Sequence, residues 1–162
     1  MSEIEIVARR LLQAYYQEIE LMQVWQQNLE QQQQAIQAGV WDELNNLIAE
    51  AASWRERLTR ARQATRQLEE FLVLVSGCEA LEWEKIEFLP EATRQELAGA
   101  TRQVRSLWEE CRHLQEANLK NIQKAMAAIK LELEQVQTAR QMARAYRREN
   151  KTAVPRCLDR RL

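Results

Sequence analysis

The one histidine of the chain, His113, lies two residues after Cys111, and this pair of residue types can hold a metal ion or form a nucleophilic site. Side chains two positions apart on a helix point away from each other, so the pair cannot meet there. We expect a surface histidine and a core cysteine. Cys78 and Cys157 add no metal-ligand spacing. An odd number of thiols, behind an N-terminus without the pattern of a secretion signal, indicates reduced cysteines in the cytoplasm.

Carboxylates are the other groups that could do chemistry. Glu109, Glu110 and Glu116 are close in sequence, but on a helical protein such residues usually form the solvated face. The sequence contains no glycine-rich phosphate loop and no DxD or HExxH pattern. We therefore predict a protein that is not an enzyme and that needs neither a cofactor nor a metal ion.

Helices are the elements that must position any functional residue. The 162 residues include only 3 Gly and 2 Pro, and apolar residues recur at alternating steps of three and four. The predicted fold is all-α, an elongated antiparallel bundle of three long, coiled-coil-like helices running up, down and up, with a short capping helix between the second and the third. The predicted bounds are about 3–38, about 42–76, about 79–89 for the short helix and about 91–148, within one domain over 1–150 that precedes a flexible basic tail over 151–162.

Local signals mark where the helices begin and end. Ser2 with Glu5 is a capping-box pattern at the start of the first helix. Gly39 suits the end of that helix, and Asp42 suits the N-cap of the second. The apolar run at 71–75 (FLVLV) continues the helical register, so we predict that it is buried helix.

Basic residues collect at the C-terminal end of the chain. Over 139–162, eight basic residues oppose only Glu149 and Asp159. Such a segment can contact nucleic acid, anionic lipid or an acidic partner. Only Tyr146 is aromatic there, which argues against nucleic acid. No run of 18 apolar residues occurs, so we expect no insertion into a membrane.

The third helix contains a polar break. Asn118 and Asn121 lie where its apolar seam passes from Leu114 to Ile122. Polar residues in a seam either fix the register of the helices or mark a groove that a partner helix completes. The first two helices are also shorter than the third. The last 15–20 residues of the third helix, roughly 25 Å of helix, therefore lack a partner from the same chain.

The order and spacing of these features resemble the FlgN family of bacterial flagellar export chaperones. The resemblance covers essentially the whole chain, and no single motif is specific. In the family a tyrosine near the C-terminus is often followed shortly by glycine, whereas here Arg-Arg-Glu-Asn-Lys follows Tyr146. The matching features are the Gly39-x-x-Asp42 turn, the Leu89-Pro90-Glu91 helix start, the Asn118-x-x-Asn121 pair and Tyr146 in a basic, polar context.

The resemblance implies a cytoplasmic chaperone of the hook–filament junction proteins. Such a chaperone binds the C-terminal helical segments of its substrates through its own C-terminal helix, prevents premature assembly and delivers the substrates to the type III export gate. The alternative is a structural coiled-coil protein that forms homo-oligomers through the same free seam. Candidate substrate contacts are Asn118, Asn121, Ile122, Ala125, Ile129, Val136 and Ala143, and the candidate export-gate contact is Tyr146.

Overall fold

The computed structural model describes residues 2–77 and 81–152, apart from the side chains of the last two. It contains three long helices, α1 (Glu3–Ala38), α2 (Trp41–Ser76) and α3 (Glu91–Thr152), and no strand within these ranges. The prediction of an all-α fold with three long helices is confirmed. Cys78, Cys157 and residues 153–162 of the predicted flexible tail (151–162) lie outside the described residues.

The chain divides into two compact units, Met1–Leu119 and Lys120–Leu162. The first unit holds α1, α2 and the beginning of α3, and it contains the buried core. In the second unit, the described residues 120–152 continue α3. A single domain over 1–150 stays a prediction, and each unit is described by itself below.

The ends of α1 follow the capping signals in the sequence. The backbone N–H of Glu5 donates to Ser2 Oγ at 3.3 Å. Gly39 closes the helix with φ of +70°, a conformation that glycine adopts without a steric penalty. The prediction that Asp42 is the N-cap of α2 is wrong. The helix already begins at Trp41, so Asp42 lies in its first turn, where a carboxylate still faces the positive end of the helix dipole.

In the first unit α1 and α2 form an antiparallel hairpin. The hydroxyl of Tyr15 donates to Glu69, while Asn28 Nδ2 donates to the carbonyl of Leu47 at 3.1 Å. Contacts thus move backward along α2 as they move forward along α1. Burial raises the pKa of the Tyr15 phenol above its ordinary value, and the hydrogen bond to Glu69 raises it further.

α3 runs in the same direction as α1. The Cys111 thiol lies 3.8 Å from the Met22 carbonyl, and Asn118 Nδ2 donates to the Leu29 carbonyl at 2.8 Å. In both pairs the two residues are 89 positions apart in the chain. The two helices therefore keep the same register from the first contact to the second. Together with the hairpin, this confirms the up-down-up order within the first unit.

The connection between α2 and α3 differs from the prediction. Instead of a capping helix over about 79–89, the described part contains one 3-10 turn, Trp83–Lys85. Three side chains fix this segment individually, because Trp83, Ile86 and Leu89 are all buried. The indole N–H of Trp83 also donates to Thr101 Oγ1 at 2.9 Å. These anchors place a short segment across the bundle without a regular helix.

The FLVLV run at the end of α2 is helical, but the prediction that it is buried is wrong for most of it. Leu72 is 1% exposed, whereas Leu74 is 81% exposed. Phe71 and Val75 are exposed as well. Five consecutive residues cover every side of a helix, and α2 packs on neighbours along only part of its circumference. The remaining apolar side chains of the run are left at the surface.

Candidate functional site

The second unit presents an apolar stripe on the described part of α3. Within residues 120–152 no second element accompanies the helix, so its apolar side chains have no partner element inside the unit. Five large apolar residues follow one another at steps of four, three, four and three, the spacing of a single helix face. The apolar stripe consists of Ile122, Met126, Ile129, Leu133 and Val136.

Most of the stripe is open to solvent. Ile122 is half-buried, whereas Met126 is 65% and Leu133 is 57% exposed. Ile129 and Val136 are also exposed. A contiguous row of exposed large apolar side chains is uncommon on a monomeric protein and is typical of a surface that binds another protein.

The predicted substrate contacts fall into different environments. In the second unit, Asn121, Ile122 and Ala125 are half-buried. The other three predicted contacts in that unit are exposed, namely Ile129, Val136 and Ala143. Sequence reasoning missed Met126 and Leu133, although each lies four residues after an isoleucine of the seam. Following the large side chains along the helix would have found both.

Asn118 belongs to the first unit and is 2% exposed. Its Nδ2 is bonded to the Leu29 carbonyl, and its Oδ1 has no hydrogen-bond partner. This arrangement agrees with the first reading of the polar break, in which a seam asparagine fixes the register of the helices. A direct contact between Asn118 and a substrate stays a prediction.

The same helix carries apolar residues away from the stripe. Leu131 and Leu133 have the same exposed fraction, 57%. Residues two positions apart on a helix, however, are separated by about 200° around its axis. Leu131 therefore lies on the opposite face. Tyr146, the predicted export-gate contact, is 69% exposed and also lies outside the stripe.

Beyond Val136 the face of the stripe becomes basic. Arg140, Arg144 and Arg147 continue the spacing of four and three from the stripe. The ion pairs found among the described residues involve none of them. One face thus offers an apolar row followed by a row of guanidinium groups.

Groups for catalysis or metal binding do not gather in the part of the chain that the structure describes. His113 is exposed and Cys111 is buried, so the two side chains do not share a site. No three His, Cys, Asp or Glu side chains within the described ranges are placed to hold a metal ion. None of the described helices combines the length and the apolar character that crossing a bilayer requires.

Comparison with known families identifies the family of this chain. The family model described as "FlgN protein" matches residues 1–153. The chain belongs to the FlgN family. FlgN proteins are flagellar export chaperones, and chaperones of this family bind flagellar proteins. No curated protein and no solved structure matches the chain.

The FlgN match extends across both units and includes the whole apolar stripe. A FlgN chaperone needs a surface that binds a flagellar protein. In the second unit, the stripe is the longest row of large apolar side chains among the described residues that follows one helix face.

Proposed function

We propose that this chain is a cytoplasmic export chaperone that holds the C-terminal helical segments of hook–filament junction proteins on the apolar stripe, residues 122–136. The observation that carries the proposal is the unbroken row of five large apolar side chains on a helix without a partner element in its own unit. An amphipathic substrate helix would pack its apolar face on this row, as such helices pack into the apolar grooves of other helix-binding proteins. A substrate held in this way keeps its own apolar face covered and stays unassembled.

The charges on α3 set the orientation of the substrate helix. Arg140, Arg144 and Arg147 follow the stripe on the same face, so they favour a segment whose acidic residues lie beyond its apolar ones. These exposed charges contribute mainly to the association rate and to the choice of partner, and the contribution weakens as salt is added. The affinity itself comes from the apolar contacts.

Calorimetry with the C-terminal region of a hook–filament junction protein tests the proposal. The intact chain should bind, and Leu133→Ala should weaken binding about tenfold, because full burial of a leucine is worth roughly 1.5–3 kcal/mol and Leu133 has 57% of its surface left to bury. Leu131→Ala is the matched control, with the same residue type, the same helix and the same exposure on the other face. It should leave the affinity unchanged.

Two outcomes would contradict the proposal. Absence of binding by the folded, intact chain would remove the substrate assignment altogether. If sedimentation shows a stable homo-oligomer that added junction-protein peptide does not dissociate, and Leu133→Ala breaks that oligomer, then the stripe serves self-association. The second result would favour the structural coiled-coil function over the chaperone function.

We further propose that Tyr146 contacts the export gate during delivery. Its side chain is 69% exposed and lies off the stripe, so it stays accessible while a substrate covers the stripe. Tyr146→Ala should keep the affinity for the junction-protein segment and weaken the binding of the loaded chaperone to the gate. Tyr16→Ala, at an exposed tyrosine of the first unit, is the control. Equal gate binding by both variants would exclude a role for Tyr146.

A further inference from the structure

A second surface lies in the first unit, along the groove between α2 and α3. Both helices pack on α1, and their facing sides leave three adjoining cavities of about 250 to 480 Å³. A fourth cavity of about 250 Å³ lies beside them, between α3 and the connection around Trp83. Neighbouring cavities share lining residues, so the four form one continuous groove. We call it the α2–α3 groove. It is lined on one side by α2 residues 59–74, on the other by α3 residues 98–108, and near one end by the connection around Trp83.

Three arginines surround the middle of the α2–α3 groove. Arg62 and Arg66 extend from α2, and Arg105 extends from α3. The ion pairs found among the described residues involve none of the three. The Arg62 guanidinium lies 4.5 Å from the centre of the Trp108 ring. Stacking on an aromatic ring holds a guanidinium in place and leaves its in-plane N–H donors available for a carboxylate.

The acidic groups at the floor of this part are already engaged. Glu18 is 2% exposed and accepts a hydrogen bond from the Trp108 indole N–H at 3.1 Å. Glu69 accepts from the hydroxyl of Tyr15. Glu18 is buried and Glu69 is half-buried, so Glu70 is the exposed carboxylate among the residues that line this part. The three exposed arginines therefore outnumber it and leave the rim with an excess of positive charge.

One end of the α2–α3 groove is apolar. The apolar side chains that line the cavity there are Val73, Leu74, Leu81 and Trp83, and Tyr15, Glu69, Glu70 and Thr101 complete its lining. Leu74 is the most exposed large apolar residue of the first unit. Phe71, one turn away on α2, is exposed as well. The groove therefore offers an apolar pocket next to a set of positive charges, the pattern that an amphipathic helix with acidic residues would complement.

We infer that the α2–α3 groove is a second protein-docking site, which takes an acidic amphipathic helix of a partner protein. Carboxylates of that helix pair with Arg62, Arg66 and Arg105, and its apolar side chains enter the pocket beside Leu74. The site lies wholly within the first unit, so this inference does not depend on the assignment of the stripe. A chaperone with two such surfaces can hold two different helical segments.

The probe is a phage-displayed library of helical segments of about 20 residues, long enough to form stable helix on binding, selected against the intact chain. Peptides from the enriched clones are then measured by fluorescence anisotropy. We expect enrichment of Asp and Glu beside an apolar face. The double variant Arg62→Ala/Arg66→Ala should lower the affinity about tenfold, because two ion pairs to the peptide are lost. Added salt should weaken binding.

The chain supplies a matched control at Arg57, which also lies on α2 and stacks on a tryptophan, Trp54, at 5.0 Å, but does not line the groove. Arg57→Ala should leave peptide binding unchanged. Failure to enrich acidic segments, equal affinity for the double variant and the unaltered chain, or loss of binding in Leu133→Ala would each overturn the inference. A homodimer that dissociates in the double variant would make a second copy the occupant and overturn it too.

Discussion

The bond between Trp108 and Glu18 joins α3 to α1, and breaking it should cost more stability than its single hydrogen bond suggests. Trp108→Phe keeps an aromatic ring at the edge-to-face contact with Trp25, whose centroid lies 5.8 Å away, and beneath the guanidinium of Arg62. The substitution removes only the indole N–H. It leaves the Glu18 carboxylate, 2% exposed, without its donor.

The expected loss of unfolding free energy depends on the burial of the Glu18 carboxylate, which Trp108→Phe leaves without its donor. A hydrogen bond to a charged group contributes about 1.5–3 kcal/mol, and a buried charge that loses its partner keeps the full desolvation cost. We expect Trp108→Phe to lower the free energy of unfolding by about 2–3 kcal/mol. Replacing both partners, in Trp108→Phe/Glu18→Leu, removes the buried charge as well. The double variant should therefore be more stable than the single variant by at least about 1 kcal/mol.

Urea denaturation followed by circular dichroism at neutral pH measures both variants. The control is Trp54→Phe, a half-buried tryptophan on α2 whose ring also lies under an arginine. It should cost less than about 1 kcal/mol, because no hydrogen bond to a buried carboxylate is lost. A double variant that is no more stable than Trp108→Phe would refute the reasoning, since the losses would then come from packing and not from a stranded charge.

Three further predictions concern single positions. Asn118→Leu should leave thermal stability nearly unchanged, because it removes an unsatisfied buried oxygen together with one hydrogen bond, whereas Asn118→Asp should lower the melting temperature strongly. Gly39→Ala should cost about 1 kcal/mol in urea denaturation through its φ of +70° alone, since no atom lies within 4 Å of the added carbon; no loss would contradict this conformation. Burial raises the pKa of the Cys111 thiol to about 11, so in a Cys78→Ser/Cys157→Ser background its reaction with a disulfide reagent should be slow at pH 8 and accelerate toward pH 11, as thiolate forms. Rapid labelling at pH 8 would show an accessible thiol.

Helical periodicity sufficed for the main elements of the fold. The alternation of three and four steps, together with Gly39 and Pro90, specified three long helices and the end of the first one. A helix of about 36 residues contains enough repeats for its period to be read without ambiguity. The connection contains too few residues for any period. Its conformation depends on which side chains the bundle buries, as at Trp83, and that is a tertiary property.

Where neighbouring residues are alike in polarity, the sequence does not show which side chain is buried. Among the four consecutive glutamines at 31–34, the seam spacing of the first helix predicts that Gln33 faces inward, whereas the structure buries Gln32 and leaves Gln33 half-buried. In the FLVLV run every side of the helix is apolar, so composition cannot identify the exposed side. At the candidate site the sequence shows the period, but the seam spacing predicts Ala125 and Ala143 as contacts and leaves out the larger Met126 and Leu133.

The register of α1 with α3 has a consequence for the order of folding. The hairpin bond between Asn28 and Leu47 closes a separation of 19 residues, whereas that between Leu29 and Asn118 closes one of 89. Short closures lose less chain entropy, and a nascent chain is synthesised from its N-terminus, so the α1–α2 hairpin can form while α3 is still being made. Until residue 111 has emerged, the side of α1 around Met22 has no segment of α3 to cover it. The nascent chain therefore exposes an apolar face of its own before it can cover an apolar face of another protein.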